Sequence, residues 1–487
     1  MGNRLTRREF IARAGMAAAG LALARHVLAD EGKRLNVLFI TADDMNYDSL
    51  GVTGCKVPDI TPNLDKLASQ GMRFEEAHLG IAVCQPSRSV WMTGRYPHRN
   101  GAMGFEPIKT DVPTLQESLR AAGYFNGIFA KVAHLAPQSK FCWDTVVGAE
   151  ELGQGKDPAL YYAKMKAFLD QAKASGKPWF LMANCQDPHR PFPGSEGEKA
   201  REAGGAKRKV PVDFPDASRY YKAEEITIPG FLPDLPDIRT ELAQYFTAVH
   251  RCDETVGNIL KALREAGLEE NTIVIFMSDN GISMPFSKAN CYRTSTRTPL
   301  IVRWPGKIKP GSVNRDDLVS GADFTPTVLD ALGLKQIEGV DGRSYLPLLE
   351  GRKQDDREKV FTFFNETSAK NEYPMRCIRT KRFCYIFNSW SDGKTLYQAE
   401  GMSGLTFKAM QAAAGTDPKI AERVKFLRYR APEEFYDLRA DPNELHNLIA
   451  DPKHKDTIEK VRADLLRMME KTKDPLREQF KALVTGK

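Results

Sequence analysis

Unbroken apolar runs alternate with amphipathic stretches along most of the chain. Residues 35–41 read LNVLFIT and lead into Asp43-Asp44. A run with no polar alternation suits a parallel strand covered on both faces, with acids at its carboxyl end. Thr61-Pro62 then opens a helix by the N-cap and proline-first rule, and Gly71 closes it. The alternation recurs as a helix over 114–122 stopped by Gly123, a strand over 127–131, and a helix over 158–174. Next come a strand over 179–183, a long helix over 238–266 and a strand over 272–277. This order predicts an α/β fold with a large, mostly parallel, doubly wound sheet flanked by helices. Ligands of such sheets collect outside the carboxyl ends of the strands.

The pattern changes near residue 355. After the helix-like LPLLEG and the charged stretch 352–359, VFTFFN and RCIRTKRFCYIFN read as antiparallel strands, and 456–472 as a terminal amphipathic helix. The expected organisation is therefore a leader over 1–29, a catalytic domain over 30–355 and a smaller C-terminal α+β domain over 356–487 built on an antiparallel sheet. Between these elements, 191–236 is rich in proline, glycine and charge, and a segment of that length in a compact domain is expected to form a pocket rim.

Composition narrows the class. With 42% hydrophobic and 27% charged residues over 487, the chain is globular, which excludes disordered, collagen-like and multi-span membrane architectures. Of the net +7, the first 29 residues carry +4, five arginines against Glu9. The rest is nearly balanced, and its basic residues form no runs interleaved with aromatics, so no nucleic-acid partner is expected. Thr6-Arg7-Arg8-Glu9-Phe10-Ile11, the apolar 14–24 and the small-residue sites at 22–24 and 27–29 resemble a twin-arginine signal peptide. That apolar run is too short to span a bilayer, so no stable membrane span is expected; bacterial export by the Tat machinery to the periplasm is. The eight cysteines contain no CxxC pair, which argues against a zinc ribbon or a disulfide scaffold and leaves room for one or two disulfides.

Two constellations carry chemistry. Asp43, Asp44, Asp279 and Asn280 each follow a predicted buried strand, and four hard oxygens at one sheet edge suit Ca²⁺, with Mg²⁺ the second choice. Cys84-Gln85-Pro86-Ser87-Arg88, followed by Thr93-Gly94-Arg95, resembles the C-x-P-S-R and T-G-R signature of the sulfatases, members of the alkaline phosphatase-like superfamily. A helix beginning near Ser87 would turn its amino-terminal N–H groups toward this position, which favours an oxyanion.

The resemblance implies that a maturation enzyme converts Cys84 to formylglycine. Of its hydrated aldehyde, one hydroxyl attacks sulfur and the other, once deprotonated, expels sulfate. It also implies that Asp43, Asp44, Asp279 and Asn280 hold the metal together with the modified Cys84, and that Arg88 holds the diol or neutralises charge. Lys131 and His134 resemble the family's sulfate-binding Lys-x-His, at the longer Lys-x-x-His spacing that iduronate-2-sulfatases also show. His189, in Asp187-Pro188-His189-Arg190, resembles the leaving-group histidine.

Lys288, eight residues after Asn280, and the Tyr373-Pro374-Met375-Arg376 segment are most similar to the heparan N-sulfatases. This similarity implies removal of an N-sulfate from terminal glucosamine, and a homodimer. Arg376 would then grip a sugar carboxylate or second sulfate, or pair with an acid in a hairpin. Iduronate-2- or 6-O-sulfatase activity, phosphate or phosphonate monoester hydrolysis, and non-catalytic glycan binding stay open as alternatives.

Overall fold

The computed structural model describes residues 34–203 and 212–486, so the expected signal peptide lies outside the described residues. The strands of the first part are β1 (Asn36–Ala42), β2 (Met72–Phe74), β3 (Ala77–His78), β4 (Phe125–Phe129), β5 (Thr145–Val147), β6 (Trp179–Asn184), β7 (Thr272–Ser278), β8 (Leu300–Arg303), β9 (Ser312–Asn314) and β10 (Val319–Ser320). Eight of them form one sheet in the order β5-β4-β6-β1-β7-β8-β2-β9. The five strands from β5 to β7 run parallel to their neighbours, while β8 is antiparallel to both β7 and β2. The sheet is thus mostly parallel, with a reversed strand that the apolar pattern did not reveal.

Why the central runs lack alternation is visible in the packing. Leu38, Ile40 and Ala42 of β1 join one hydrophobic cluster, and Val37 and Phe39 join another on the opposite face. β6 and β7 divide the same way, with Leu181 and Phe276 on the first face and Met182 and Ile275 on the second. Every residue of β1, β6 and β7 is buried. A strand sandwiched by helices has no solvent face to mark with polar residues. The long helix Pro236–Glu265 and the helix Pro158–Ser175 cover the first face.

A second, four-stranded antiparallel sheet follows, ordered β11 (Lys359–Glu366), β12 (Glu372–Thr380), β13 (Phe383–Asn388) and β14 (Glu433–Asp437). Helices Leu405–Ala413 and Pro418–Tyr429 interrupt it before β14, and helices Lys455–Thr472 and Arg477–Thr485 close the chain. The two sheets are tied directly: the Phe363 N–H of β11 donates to the Gly80 carbonyl at 2.8 Å. All eight cysteines are free thiols; Cys377 and Cys384 approach to 3.6 Å without a bond. Among the described residues no helix is long and apolar enough to cross a membrane.

Candidate active site

Four neighbouring parallel strands, β4, β6, β1 and β7, deliver their carboxyl ends to one edge, and the residues that follow them make the site. The ladder continues past the strands: Cys185 N–H donates to Thr41 O, Asp43 N–H to Asp187 O and Asp279 N–H to Ala42 O. Asp43, Asp44, Asp187, Asp279 and Asn280 are therefore held side by side. Asp44 (φ 70°) and Lys131 (φ 51°) have left-handed backbone, a conformation costly for residues with a side chain and frequent where function dictates direction.

Cys84 is the first residue of the helix Cys84–Thr93, with Val83 as its cap. The helix starts three residues earlier than its sequence suggests, which puts Cys84 itself on the first turn. Burial raises its thiol to about 12, with Lys288 opposing and Asp43 adding to the rise. A thiol so placed stays protonated at neutral pH, so an unmodified Cys84 is no thiolate nucleophile.

One helical turn on, Arg88 is fully buried and points beneath the site. Its Nε and Nη2 donate to Asp279 Oδ2 at 3.1 and 2.6 Å, and its Nη1 donates to Thr41 Oγ1 at 3.0 Å and to Asn184 Oδ1. Asn184 in turn donates to the carbonyls of Phe129 and Ala130. It links β1, β4, β6 and the Cys84 helix, a hub with no signal in the sequence because an asparagine ending an apolar strand carries no motif.

The carboxylates are crowded by cations. Lys131 pairs with Asp43 Oδ2, and Lys288 donates to Asp44 Oδ1 at 2.6 Å while only 3% exposed. A solvated surface lysine is thereby excluded at 288. Burial alone would raise Asp43, but Lys131, His189, Lys288 and Arg88 outweigh it and hold the carboxyl well below its ordinary value. Asp279 moves the other way, up to about 7, from burial and from Asp43 next to it.

A cation fits this donor set. Asp43 Oδ1, Asp44 Oδ2 and Asn280 Oδ1 are buried with no hydrogen-bond donor, a costly condition that a hard ion relieves. Ligand atoms of Asp43, Asp44 and His189 lie within 4.8 Å of one another. His189 thus joins a group expected to be oxygen alone, whereas Asp279 has one oxygen committed to Arg88 and the other accepting the Asp44 N–H.

Above the acids a cleft of about 260 Å³ is lined by Cys84, Lys131, His134, His189 and Lys288 together. The longer Lys-x-x-His spacing still brings both side chains in, because Val132–His134 is a single 3₁₀ turn that folds back from Lys131. His189 Nδ1–H donates to the Arg190 carbonyl at 2.7 Å, leaving Nε2 the free nitrogen, and burial lowers the ring to about 4. The 191–236 segment does reach the rim, through Pro191, Arg201 and Phe214.

Two residues depart from expectation. Arg376 does not line the cleft: it is fully buried in β12, its Nε on Asp474 Oδ2 at 2.6 Å and its Nη1 on Asn365. The sugar-gripping role is withdrawn; Arg376 does pair with an acid, but not within a hairpin, since Asp474 follows the helix Lys455–Thr472. Lys156 had no assigned role, yet its buried ammonium donates to Asp187 Oδ1, His189 O and Pro191 O, fastening the loop that carries His189. Its signal, a lysine just before a helix start, does not differ from that of any solvated lysine.

Comparison with known proteins gives the same picture. The family description "Sulfatase" matches residues 35–334, and "N-sulphoglucosamine sulphohydrolase, C-terminal" matches residues 282–400. The chain is 30% identical to human N-sulphoglucosamine sulphohydrolase, covering 90% of this chain and 91% of that one. It is 28% identical to an ulvan-active sulfatase of Formosa agariphila, covering 91% and 82%. A protein solved with its substrate D-glucosamine-2-N,6-O-disulfate superposes with a TM-score of 0.67 at 20% identity, over 91% and 99% of the two chains. The phosphonate monoester hydrolase of Agrobacterium radiobacter follows at 0.64 and 19%, over 90% and 96%.

Proposed function

From the premise that this chain belongs to the sulfatase family, hydrolases of sulfate esters and sulfamates, we propose that it desulfates a glycosaminoglycan-type saccharide, and specifically removes the N-sulfate of a terminal glucosamine. One observation carries the reading: Cys84 shares a single cleft with Lys131, His134, His189 and Lys288, over buried acceptor oxygens that lack donors. The likeness to human N-sulphoglucosamine sulphohydrolase, extending over nine-tenths of both chains, supports the N-sulfate as the scissile group. The cleft volume, about 260 Å³, lies below the ~300–1,000 Å³ of most small-molecule sites, which favours one terminal ring over an internal chain segment.

The side chains divide the work. Lys131 and Lys288 present ammonium groups to the non-bridging sulfate oxygens, where they stabilise charge that builds as the bond to sulfur breaks. His189 Nε2 holds a proton for the departing nitrogen. Burial lowers its proton affinity, and an anionic sulfate beside it would raise it. Arg88 keeps Asp279 and the strand ends in register, and Lys156 keeps the His189 loop in place. A formylglycine made from Cys84 supplies a hydrated aldehyde as nucleophile. A Ca²⁺ held by Asp43, Asp44 and Asn280, with Asp279 completing the set and His189 Nε2 left free for its proton, would supply Lewis acidity.

Maturation has a structural requirement. Ser87 and Arg88 are fully buried and Cys84 is 5% exposed, so a modifying enzyme reads this motif before the chain folds around it. With the twin-arginine leader exporting folded protein, modification in the cytoplasm and work in the periplasm form a consistent sequence.

Screening desulfation of defined heparin disaccharides tests the proposal. Release of sulfate from N-sulfoglucosamine ends is expected, together with an aldehyde-bearing Cys84 peptide by mass analysis and loss of turnover in a folded Cys84→Ala variant. An active Cys84→Ala variant would overturn the assignment. The phosphonate hydrolase reading shares the fold, and comparing a sulfated with a phosphorylated aryl ester separates the two.

A further inference from the structure

Among the described residues that line the Cys84 cleft, lysine, histidine and arginine face a single carboxylate, Glu400. It comes from the 3₁₀ turn Glu400–Met402, between β13 and the helix Leu405–Ala413. Its Oε1 accepts the Ser368 N–H at 2.7 Å, and Ser368 lines the same wall. Its Oε2 is buried with no hydrogen-bond partner. A buried acceptor left unpaired is costly and calls for a donor. Of the cations lining the cleft, Lys131 is paired with Asp43, Lys288 with Asp44, Lys156 with Asp187 and Arg190 with Glu241, while Arg201 lines the same wall with contacts of its own and makes no hydrogen bond to Oε2.

The turn is also built to hold still. A Cβ on Gly401 would sit 2.6 Å from the Met284 carbonyl oxygen, so the turn packs backbone to backbone on the segment after Asn280. Tyr397 Oη donates to the Ala289 carbonyl at 2.5 Å. The Leu405 and Thr406 N–H groups donate to Glu241, the partner of Arg190 in the cleft wall. Glu400 is therefore a fixed acceptor, and the donor it lacks has to arrive with the ligand.

Resting on the proposed sulfatase reading, we propose that Glu400 determines specificity: it accepts a hydrogen bond from a hydroxyl of the ring that bears the scissile sulfate and repels a second anionic group there. The substrate class is then a saccharide whose terminal ring carries one sulfate. A carboxylate inside a partly closed cleft is poorly screened by salt, so it discriminates by charge as well as by hydrogen bonding.

The test measures kcat and KM for glucosamine N-sulfate and glucosamine N,6-disulfate, with an aryl sulfate alongside. The wild-type protein is expected to favour the monosulfated sugar by about tenfold or more in kcat/KM. Glu400→Gln keeps an acceptor for the Ser368 N–H, and an unchanged melting temperature verifies its fold. It should bring the ratio to within about threefold, mainly through a lower KM for the disulfated sugar. Glu400→Lys should reverse the preference. An unchanged ratio in folded Glu400→Gln, or a wild-type preference for the disulfated sugar, overturns the inference. Turnover of the aryl sulfate with neither sugar accepted overturns it while sparing the sulfatase reading. Failure on all three compounds with Cys84 modified removes the reading itself, and this inference with it.

Discussion

At the residue scale, the site depends on charges that are buried and mutually compensated. Taking one partner from such a cluster costs about 3–5 kcal/mol, because the remaining charge is stranded in a poor solvent. Lys156 illustrates this away from the reacting atoms, since its three acceptors include the carbonyls on either side of Arg190. Lys156→Met is expected to lower kcat by roughly ten- to a hundredfold, the range typical of residues that orient others, with a smaller change in KM. Lys156→Arg should recover part of kcat. A Lys156→Met enzyme that loses stability and keeps kcat would show that the lysine only holds the fold. The same scale explains the misplacement of Arg376. A basic residue in a strand suggests an outward side chain, but β12 is buried on both faces through its middle, and Arg376 finds Asp474, 98 residues later.

At the scale of elements, backbone turns after strands aim the side chains. Gly281 shows why glycine must follow Asp279-Asn280. A Cβ there would lie 2.0 Å from the Thr294 carbonyl oxygen, 2.5 Å from Ser287 Oγ and 2.8 Å from Asn46 Oδ1. Gly281→Ala is expected to push the Asn280 turn outward, costing about 1–3 kcal/mol as other overpacking changes do, and cutting sulfate release at least about tenfold. Thermal melting and sulfate release by the purified variant measure both; wild-type values for both would mean that the turn has slack the geometry denies. Elements themselves were legible where capping and periodicity agreed. The helix Leu115–Ala121 starts at Thr114 with a capping box, and the helix Pro158–Ser175 starts with Asp157 accepting two N–H groups. The helix at Cys84 starts three residues before the expected Ser87, with Pro86 in its first turn, where its missing N–H has no partner to lose.

At the scale of the molecule, the C-terminal sheet completes the site. β11 bonds to Gly80, four residues before Cys84, and the 397–406 stretch packs on the loop after Asn280. Buried histidines sit along this junction. His98 lies 3.7 Å from Asp474, its ring tilted against Phe363 at 5.5 Å between centroids; His78 contacts Glu76 and Thr296. Burial lowers both to about 4 from an ordinary 6.5. An unfolded chain therefore binds more protons than the folded one between these values. The stability they confer is complete above about pH 6.5 and is lost as pH falls toward 4, by at most a few kcal/mol each. Asp279, raised to about 7, acts in the opposite sense over the same range, so the test is a difference: calorimetry from pH 7.5 to 4.5 should show the melting temperature of His98→Gln falling less than that of the wild type. Identical pH profiles for the two proteins would contradict the account.

The sequence by itself determined the layered α/β architecture, the second antiparallel sheet, and the residues that meet at the carboxyl edge. Apolar periodicity is a local record of which faces are covered, and strand-end acids and the Cys84 motif are contiguous in the chain. Only the tertiary structure decided that β8 runs backwards, that Asn184 and Lys156 brace the site, that Arg376 turns to Asp474 and that Glu400 lines the cleft. These are pairings between residues tens to hundreds of positions apart. A lone polar residue carries the same letter whether water or a distant partner satisfies it, and the packed chain alone supplies that partner.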